Sequence, residues 1–253
     1  MENLEFSPDL LSGKTVVVTG AGRGIGLAIC KAMLACGAKL IVHSGRTGTA
    51  KVMSNITNSV FEADLADMSA VKNFVEFVKS ETSSVDVLIN NAGTMMGRFP
   101  ADEITDEQYH QLVNLNQTSV VQITRGLIPL LQKAGQASII NTVSISAKTG
   151  GSPGSSIYSA TKAFVSTYTK ALARELAPDG IRANAVSPGT ITTDFHKRYS
   201  SEEKLENTRR STPLQRLGTP EDCAPSYVFL ASNQLSGYIT GQVLEINGGQ
   251  LMT

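Results

Sequence analysis

The 253-residue sequence predicts an α/β fold, in which a doubly wound parallel sheet carries helices on both faces. Three observations indicate this class. Short β-branched runs alternate with helix-like segments, glycines follow the first of these runs directly, and neither repeats nor low-complexity tracts interrupt the alternation. We expect a single domain over residues 1–253, because this length is sufficient for one large core.

Seven runs of the sequence are predicted to form strands. Each combines β-branched or other apolar residues with a neighbouring turn signal. In chain order they are KTVVVTG at 14–20, KLIVH near 39, SVFEA near 59, VDVLIN near 85, ASIINTVS near 137, IRANAVS near 181 and QVLEIN near 242. Because strands that alternate with helices form βαβ units, these runs are expected to pair in parallel.

Helical patterns lie between most of these runs. SAVKNFVEFVKS places four apolar residues on one helix face, namely Val71, Phe74, Val75 and Val78. The longer run TDEQYHQLVNLNQTSVVQITRGLIPLL is also periodic, and Pro129 is expected to terminate or kink it. Residues 190–219 are polar and lack strong periodicity, which favours a mobile flap, with a plain surface excursion as the alternative.

Composition narrows the class of partner. Lys plus Arg and Asp plus Glu both number 22, so a formal charge of zero gives no reason to expect nucleic acid. The N-terminal MENLEFSPD is acidic and has no continuous apolar run, so it predicts neither a secretory signal nor a membrane anchor. The longest apolar stretches are too short to span a bilayer. A small-molecule or protein partner is therefore expected.

The cysteines and histidines indicate the cellular setting and the absence of a metal. No cysteine has CxxC spacing, and a small buried apolar role in helix-like surroundings is favoured for Cys30, Cys36 and Cys223. This usage predicts a reduced, cytoplasmic setting. No metal site is predicted, because cysteines and carboxylates at ligand spacing are missing around His43, His110 and His196.

The first strand leads directly into the glycine-rich stretch TGAGRGIG. Gly20, Gly24 and Gly26 have the spacing G-x-x-x-G-x-G, which differs from the common G-x-G-x-x-G fingerprint. The physical basis is the same, because glycines permit a tight turn and the following helix directs its N-terminal amides at an anion. A dinucleotide pyrophosphate fits this arrangement, and glycines that merely shape a loop are the alternative.

Charges near the second strand indicate which dinucleotide binds. An NAD site places Asp or Glu about twenty residues beyond the glycines, whereas an NADP site places Arg there. No Asp or Glu occurs between Leu10 and Phe61, Arg46 follows Gly26 by twenty residues, and Arg23 adds a cation inside the glycine turn. Guanidinium groups bind a phosphate by charge-assisted hydrogen bonds, so NADP(H) is predicted. Two solvated surface arginines are the alternative.

SIYSATKAF at 156–164 places Tyr158 and Lys162 four positions apart, so both side chains project from one helix face. Free tyrosine has a pKa near 10, and a neighbouring ammonium lowers that pKa by favouring the phenolate. The pair is therefore predicted to provide an acid or base that works near neutral pH. The alternative is a lysine whose stem merely covers an aromatic ring.

With the glycine turn, NNAG at 90–93, a serine ahead of Y-x-x-x-K and SPG at 187–189, the chain resembles the short-chain dehydrogenase/reductase family along nearly its whole length. Within that family it looks most like the 3-oxoacyl-[acyl-carrier-protein] reductases. The resemblance implies a doubly wound Rossmann sheet of seven strands, a homotetramer, and hydride transfer between a nicotinamide coenzyme and a carbonyl carbon.

The resemblance also implies roles for single residues. Tyr158 would be the general acid/base, Lys162 the ligand of the nicotinamide ribose and Ser144 the group that polarises the substrate carbonyl. Asn116 would hold a water in the proton relay, and its neighbour Asn114 is the weaker candidate. The coenzyme-binding set is Gly20, Gly22, Arg23, Gly24, Ile25, Gly26, Ser44, Arg46, Asp64, Leu65, Asn91, Ala92, Gly93, Tyr158, Lys162, Pro188, Gly189, Ile191 and Thr193. The substrate set is Ser144, Met95, Met96 and Phe195.

Two departures from the family pattern bear on these roles. Ser144 precedes Tyr158 by fourteen positions, one more than is usual, and Ser146 is a second candidate nearby. Family members that act on carrier-bound substrates present basic residues to the acidic carrier, but the matching stretches here, LLQKAGQAS and ELAPDG, contain one basic residue, Lys133, and the oppositely charged Asp179. A carrier-bound substrate is therefore doubtful.

The predicted function is NADPH-dependent reduction of a ketone or 3-oxoacyl group to a secondary alcohol. A dehydrogenase of a small secondary alcohol, polyol or sugar derivative is the alternative within enzymes. A coenzyme-binding regulatory protein without catalysis is the alternative of another class. In each case the predicted partner is a small molecule, without nucleic acid or membrane.

Overall fold

The computed structural model describes residues 6–45 and 48–252, without the side chains of Ala50, His196 and Lys197. Within this part, seven parallel strands form one sheet in the order β3-β2-β1-β4-β5-β6-β7. The strands are β1 (Thr15–Val18), β2 (Lys39–Ser44), β3 (Val60–Glu62), β4 (Val87–Asn90), β5 (Ala137–Thr142), β6 (Ile181–Pro188) and β7 (Val243–Ile246). The predicted fold class and all seven predicted strands are confirmed.

Helices cover both faces of the sheet. They are α1 (Gly24–Ala35), α2 (Ala50–Met53), α3 (Met68–Glu81), α4 (Asp106–Val113), α5 (Ser119–Lys133), α6 (Ser146–Thr149), α7 (Ser156–Leu176), α8 (Asp194–Tyr199), α9 (Glu202–Ser211), α10 (Pro220–Ala231) and α11 (Asn233–Ser236). A π-helical turn over Asn114–Thr118 joins α4 to α5, and a 3₁₀ turn over Ala177–Asp179 follows α7.

Strand β1 separates two apolar cores, because successive side chains of a strand point to opposite faces. Val16 and Val18 pack in one core with residues of α1 and α10, whereas Val17 packs in the other with residues of α3 and α5. The predicted apolar face of α3 is confirmed, since its four members are buried in this second core. The sheet is therefore covered by helices on both sides, as the alternating sequence pattern predicts.

The position of β1 determines where a ligand can bind. Its neighbours are β2 on one side and β4 on the other, so the connections leaving β1 and β4 run to opposite faces of the sheet. In open α/β sheets the crevice at such a switch point, beyond the carboxyl ends of the strands, is the usual ligand site. The glycine turn follows β1 and NNAG spans the end of β4, so both motifs lie at this crevice.

Of the two expected effects of Pro129, termination does not occur, because α5 continues through Pro129 to Lys133, and a kink stays a prediction. Pro129 lies on the exposed side of the helix, where the carbonyl that loses its intrahelical partner can bind water. On the opposite side, Leu127, Leu130 and Leu131 are buried and hold the last turn against the sheet. The irregularity in this long periodic run occurs earlier, at the π-helical turn.

The segment 190–219, expected to be a mobile flap or a plain surface excursion, contains α8 and α9. Ser201 caps α9 by accepting from the Lys204 N–H, and Glu206 pairs with both Arg209 and Arg210. No residue of α9 is buried, so caps and ion pairs stabilise this helix in place of an apolar stripe. A pattern based on apolar periodicity could not reveal such a helix. Mobility of the segment stays a prediction.

A buried chain of hydrogen bonds fixes the central strands to the helices behind them. The Asn90 side-chain amide donates to Thr124 Oγ1 at 3.0 Å and to Asn141 Oδ1 at 2.9 Å. Asn141 in turn donates to Thr169 Oγ1 at 2.9 Å. These residues come from β4, α5, β5 and α7, so the chain fixes the relative positions of the elements that carry the cleft.

Asn141→Ala is expected to lower the free energy of unfolding by about 2–4 kcal/mol, because it leaves buried partners unpaired and opens a cavity. Urea denaturation followed by circular dichroism measures the change. Asn207→Ala, on the exposed surface of α9, is the matched control and should alter stability by less than about 0.5 kcal/mol. Equal stability of the two variants would show that the buried chain contributes little.

Candidate active site

A cleft of ≈ 900 Å³ lies at the carboxyl ends of the central strands. This volume is typical of sites for small molecules and coenzymes. Arg46 lies outside the described residues, and Asn116 is not among the described residues that line the cleft. All other predicted site residues line it: Gly20, Gly22, Arg23, Gly24, Ile25, Gly26, Ser44, Asp64, Leu65, Asn91, Ala92, Gly93, Met95, Met96, Ser144, Tyr158, Lys162, Pro188, Gly189, Ile191, Thr193 and Phe195.

The N-terminus of α1 opens into this cleft. Its N-cap residue, Arg23, makes no side-chain capping bond, and the first turn contains no acidic residue. The first amides of a helix have no intrahelical partners, so these groups are available to an anion. Gly24, Ile25 and Gly26 bring them to the cleft wall. The arrangement fits the pyrophosphate of a dinucleotide.

Two glycines allow the backbone to come this close. Gly20 has φ +68°, and a Cβ there would lie 2.8 Å from Ala92 Cα. A Cβ on Gly26 would lie 2.1 Å from the Gly20 carbonyl oxygen. A larger residue at Gly20 would therefore separate the glycine turn from the turn after β4, and one at Gly26 would separate α1 from the end of β1.

Hydrogen bonds join the glycine turn to the NNAG turn. Thr19 Oγ1 accepts from the backbone N–H groups of Asn91 and Ala92, each at 3.0 Å. The Asn91 side chain donates to the carbonyls of Thr19 and Gly20 at 3.1 and 3.2 Å. The two turns thus form one rigid unit across the switch point.

His43 supports the same unit and was not identified as a site residue from the sequence. Its Nδ1 accepts from the Gly20 N–H at 3.2 Å, and its Nε2 donates to the Ala63 carbonyl at 2.9 Å. Burial lowers the pKa of His43 to about 4, so the neutral ring that makes both bonds prevails at neutral pH. His43 connects the glycine turn to the loop that carries Asp64. In the sequence, the only sign of this supporting role was the position of His43 at the end of β2.

The end of the cleft expected to hold the adenine lies beside β2 and β3. The hydroxyls of Ser44 and Thr49 are in contact, and the Asp64 carboxylate accepts from the Ala66 N–H at 2.9 Å. Arg23, predicted to face a 2′-phosphate, pairs with Asp194 of α8 at 3.2 Å, and both side chains are exposed. Part of its charge is therefore already compensated in this structure.

Ser144 follows β5, and its side chain lies near enough to the Tyr158 hydroxyl of α7 to oppose the rise in the pKa of the phenol. The Ser144 oxygen accepts from the Ser146 N–H at 3.2 Å and from the Ser146 hydroxyl at 3.0 Å. Because both acceptor positions of Ser144 are used, its own proton is free to point at Tyr158. Of the two candidate serines, Ser144 is thus the one beside Tyr158, and Ser146 supports it.

Lys162 lies one helical turn beyond Tyr158 and is buried. Its Nζ donates to the Thr142 carbonyl at 2.8 Å and lies 5.9 Å from the centre of the Tyr158 ring. A Cβ on Gly93 would lie 3.0 Å from this Nζ, so glycine gives the amine access to the cleft floor. The spacing of four residues therefore brings both groups into one site, as predicted.

In the protein without a coenzyme, burial is the main cause of the pKa shifts of Tyr158 and Lys162. It raises the pKa of Tyr158 to about 12, against a smaller opposing effect of the Ser144 hydrogen bond. It also lowers the pKa of Lys162 to about 8. The expected net acidification of the phenol is not present in the chain alone, because desolvation is the largest effect on its pKa. Tyr158 carries its proton at neutral pH and is prepared to donate it.

Asn116 is fully buried within the π-helical turn. Its Oδ1 accepts from the Thr94 N–H at 3.0 Å, and its Nδ2 donates to the carbonyls of Thr94 and Leu112 at 2.9 and 3.0 Å. Because these bonds use both the oxygen and the nitrogen of its amide, the Asn116 side chain positions the segment after NNAG. The neighbouring Asn114 donates to the Ala66 carbonyl at 3.3 Å. A relay water held by Asn116 stays a prediction.

The substrate end of the cleft lies between the segment after NNAG and α8. Met95 is buried, and Met96 has φ +58°, a strained conformation for a side chain of its size. Phe195 lies 5.9 Å from the Tyr158 ring and 5.0 Å from the Tyr199 ring, as measured between ring centres. Tyr199 also makes a hydroxyl contact of 3.2 Å with Thr94. Helix α8 therefore covers the catalytic tyrosine candidate.

The described part of the chain has neither a metal-binding cluster nor a membrane-spanning helix. It holds no group of three or more His, Cys, Asp or Glu side chains that could bind a metal ion. None of its helices has both the length and the apolar character needed to cross a membrane.

The buried amine gives a prediction for the dependence of stability on pH. Between pH 8 and 10 the folded chain releases the Lys162 proton while the unfolded chain, with a lysine pKa of 10.5, retains it. The contribution of this group to stability therefore rises with pH. Relative to Lys162→Met, the wild-type free energy of unfolding should increase by about 2 kcal/mol over this range.

Chemical denaturation at pH 8, 9 and 10 checks this. Lys170→Met, on the exposed side of the same helix, is the control and should differ from wild type by an amount independent of pH. The raised pKa of Tyr158 begins to lower stability as pH approaches 10, but wild type and Lys162→Met share this tyrosine, so the difference between them still reports Lys162. A difference between wild type and Lys162→Met that stays constant with pH would contradict the assigned shift.

Known proteins match this chain over most of its length. A family model described as Enoyl-(Acyl carrier protein) reductase matches residues 20–250. A 3-oxoacyl-[acyl-carrier-protein] reductase of Synechocystis sp. is 34% identical, covering 96% of this chain and 98% of that protein.

Solved structures with bound coenzyme are similar in fold. A putative NAD(P) dependent gluconate 5-dehydrogenase from Beutenbergia cavernae, with bound NADP, has a TM-score of 0.88 at 32% identity and covers 98% of this chain and 100% of its own. A 3-ketoacyl-(acyl-carrier-protein) reductase from Brucella melitensis, complexed with NADH, has a TM-score of 0.86 at 33% identity and covers 96% and 100%. These relatives share the sheet and the order of elements described above. The chain belongs to the short-chain dehydrogenase/reductase family of oxidoreductases that use a nicotinamide coenzyme.

Proposed function

We propose that this protein reduces a ketone or 3-oxoacyl group to a secondary alcohol with NADPH. The observation that carries the proposal is the convergence of Ser144, Tyr158 and Lys162 in the cleft into which the open N-terminus of α1 also points. The α1 amides supply a place for the pyrophosphate, and the three side chains supply the polar groups beside the nicotinamide end.

The chain's own residues have distinct parts in this reaction. The coenzyme, when bound, supplies the hydride. Tyr158, protonated at neutral pH, donates its proton to the carbonyl oxygen of the substrate. Ser144 donates a hydrogen bond to the same oxygen as negative charge develops there. Lys162 binds the nicotinamide ribose, and its ammonium offsets the phenolate charge left on Tyr158.

The second candidate reaction is oxidation of a small secondary alcohol, polyol or sugar derivative. Two observations favour it: the fold is similar to that of a gluconate 5-dehydrogenase, and the basic residues expected for an acidic carrier are missing. Lys133 is the single basic residue in the two stretches concerned, and Asp179 accepts from the Gln132 side chain at 2.9 Å. The same side chains serve both directions, with Tyr158 as proton acceptor in the oxidation.

We also propose that the protein is a homotetramer in the cytoplasm. A homotetramer is supported by apolar side chains left exposed at one end of the sheet, where β7 is the edge strand and Leu244 is 37% exposed. Phe164, stacked on Tyr168 of α7, is 38% exposed. Such surfaces are typical of contacts between subunits. A cytoplasmic location is supported by the three cysteines, which are buried and free.

Tyr158→Phe tests the chemistry, because it removes the proton donor and keeps the ring. We expect turnover of every ketone in a mixed panel to fall by at least about a thousandfold. NADPH affinity, measured by fluorescence titration, should change by less than about threefold, since the hydroxyl contributes little to coenzyme binding.

Tyr238→Phe makes the same change at a fully exposed position and is the control. Near-normal turnover by Tyr158→Phe would remove this residue from the mechanism. A wild-type protein that binds NADPH tightly and turns over no ketone or alcohol would support the non-catalytic regulatory function instead. Preference for an acetoacetyl thioester over simple ketones would favour the 3-oxoacyl reaction over the polyol reaction.

Arg46→Asp tests the choice of NADPH over NADH. The carboxylate should repel the 2′-phosphate and accept from the ribose hydroxyls of NADH, which shifts the ratio of the two dissociation constants by about a hundredfold. Titration with each coenzyme measures the ratio. Arg174→Asp, at an exposed position of α7, is the control and should leave it unchanged. An unaltered ratio in Arg46→Asp would show that the phosphate is bound elsewhere.

A further inference from the structure

Three cations lie at the substrate end of the cleft, and we call them the basic cluster: Arg98, Arg198 and Lys204. All three line the main cleft together with Tyr158, and all three also line a shallower pocket that adjoins it. They come from three separate parts of the chain: the loop after β4, helix α8 and helix α9. The fold brings them together beside the residues that cover the candidate catalytic site.

No carboxylate compensates the basic cluster among the described residues that line the cleft. The two acidic residues in this wall are Asp64, in the adenine loop, and Asp194, which pairs with Arg23. Ion pairs on α9 join Glu206 to arginines other than those of the cluster. The substrate end of the cleft thus has an excess of positive charge.

Neutral groups fix two of these cations in place. Arg98 Nε donates to the Tyr199 carbonyl at 2.9 Å, and its Nη1 donates to the Pro153 carbonyl at 2.9 Å. Lys204 Nζ donates to the Ser152 hydroxyl at 2.7 Å. Burial, and after it the positive charge of Arg98, lowers the pKa of Lys204. The positive charges of Arg98 and Lys204 therefore repel each other, and a bound anion would relieve this repulsion.

The basic cluster is connected to the reaction centre through aromatic side chains. The Tyr158 ring contacts Phe195, Phe195 contacts Tyr199, and the Tyr199 backbone carbonyl accepts from Arg98. A small ketone whose carbonyl oxygen lies at Tyr158 would therefore extend past Phe195 toward the cluster. Its far end would reach a region rich in charged donors.

We propose that the physiological substrate carries an oxyanion, a carboxylate or a phosphate, which binds the basic cluster while the ketone lies at Ser144 and Tyr158. The proposal rests on the carbonyl reduction proposed above and names the substrate class for it. Arginine and lysine donors bind oxyanions by charge-assisted hydrogen bonds. A free keto acid and a phosphate-bearing acyl thioester are the two sources of such an anion.

Matched substrates that differ only in charge test the proposal. The first set is 4-oxopentanoate, 5-oxohexanoate and 6-oxoheptanoate, each beside its neutral methyl ester. The second set is the acetoacetyl thioester of phosphopantetheine beside that of neutral N-acetylcysteamine. For the preferred anion we expect kcat/KM to exceed that of the neutral partner by about tenfold or more, the effect of one hydrogen bond to a charged group. The set with the larger ratio identifies the source of the anion.

Arg198→Gln is the diagnostic variant, because Arg198 is exposed and no hydrogen bond joins its side chain to another described residue. Its ratio of kcat/KM for the anion over the neutral partner should fall by about fivefold or more, mostly through KM. Lys204→Met should lower the ratio as well. Lys133→Met, at an exposed position outside the cleft wall, is the control and should keep the wild-type ratio.

Equal use of charged and neutral partners by the wild-type protein in both sets would overturn the proposal. If no ketone is turned over at all, the proposed reduction fails, and calorimetry then decides the anion site alone. Binding of 5-oxohexanoate or phosphopantetheine to the protein with NADP⁺ present, lost in Arg198→Gln and kept in Lys133→Met, supports the site. Absence of binding by both anions to the wild-type protein overturns it.

Discussion

The contact between the turns that follow β1 and β4 is the constraint on which the cleft depends. Thr19 and Asn91 hydrogen-bond across the switch point, and Gly20 allows its backbone to touch Ala92. The N-terminus of α1 can reach a dinucleotide only while this contact keeps the glycine turn tight. His43 holds the same turn from the side of β3. The coenzyme site is therefore a property of the packed sheet rather than of the glycine sequence alone.

Burial, rather than the neighbouring lysine, controls the proton on Tyr158. The expectation from spacing was that Lys162 lowers the pKa of the phenol, because opposite charges attract. In the folded chain the amine and the phenol both lose solvation, and each neutral form is favoured. This difference suits reduction, since an acid must hold its proton until charge develops on the substrate. Positive charge that arrives with an oxidised coenzyme would then act on a phenol already placed beside Ser144.

The sequence allowed much of the fold and of the coenzyme site to be predicted, because those features are local. Strands were visible as β-branched runs, and each glycine motif lies next to the strand that positions it. Helix α9 was missed because it depends on Ser201 and on charge pairs of Glu206. The sequence could not show that α5 continues past Pro129, because this depends on which side of the helix faces solvent. Arg98 and Lys204 are 106 positions apart, so only folding could show them together.

The two ends of the cleft follow different rules, and this explains why the family resemblance leaves the substrate open. At the coenzyme end, backbone amides and glycines set the shape, and few other residues satisfy these constraints. At the far end, α9 contributes side chains of which none is buried. Substitutions that change the charge at that end leave the sheet and the positions of Ser144 and Tyr158 unaltered. Specificity can therefore vary while the chemistry stays the same, and the sign of the charge around Arg98 is the property that distinguishes one substrate class from another.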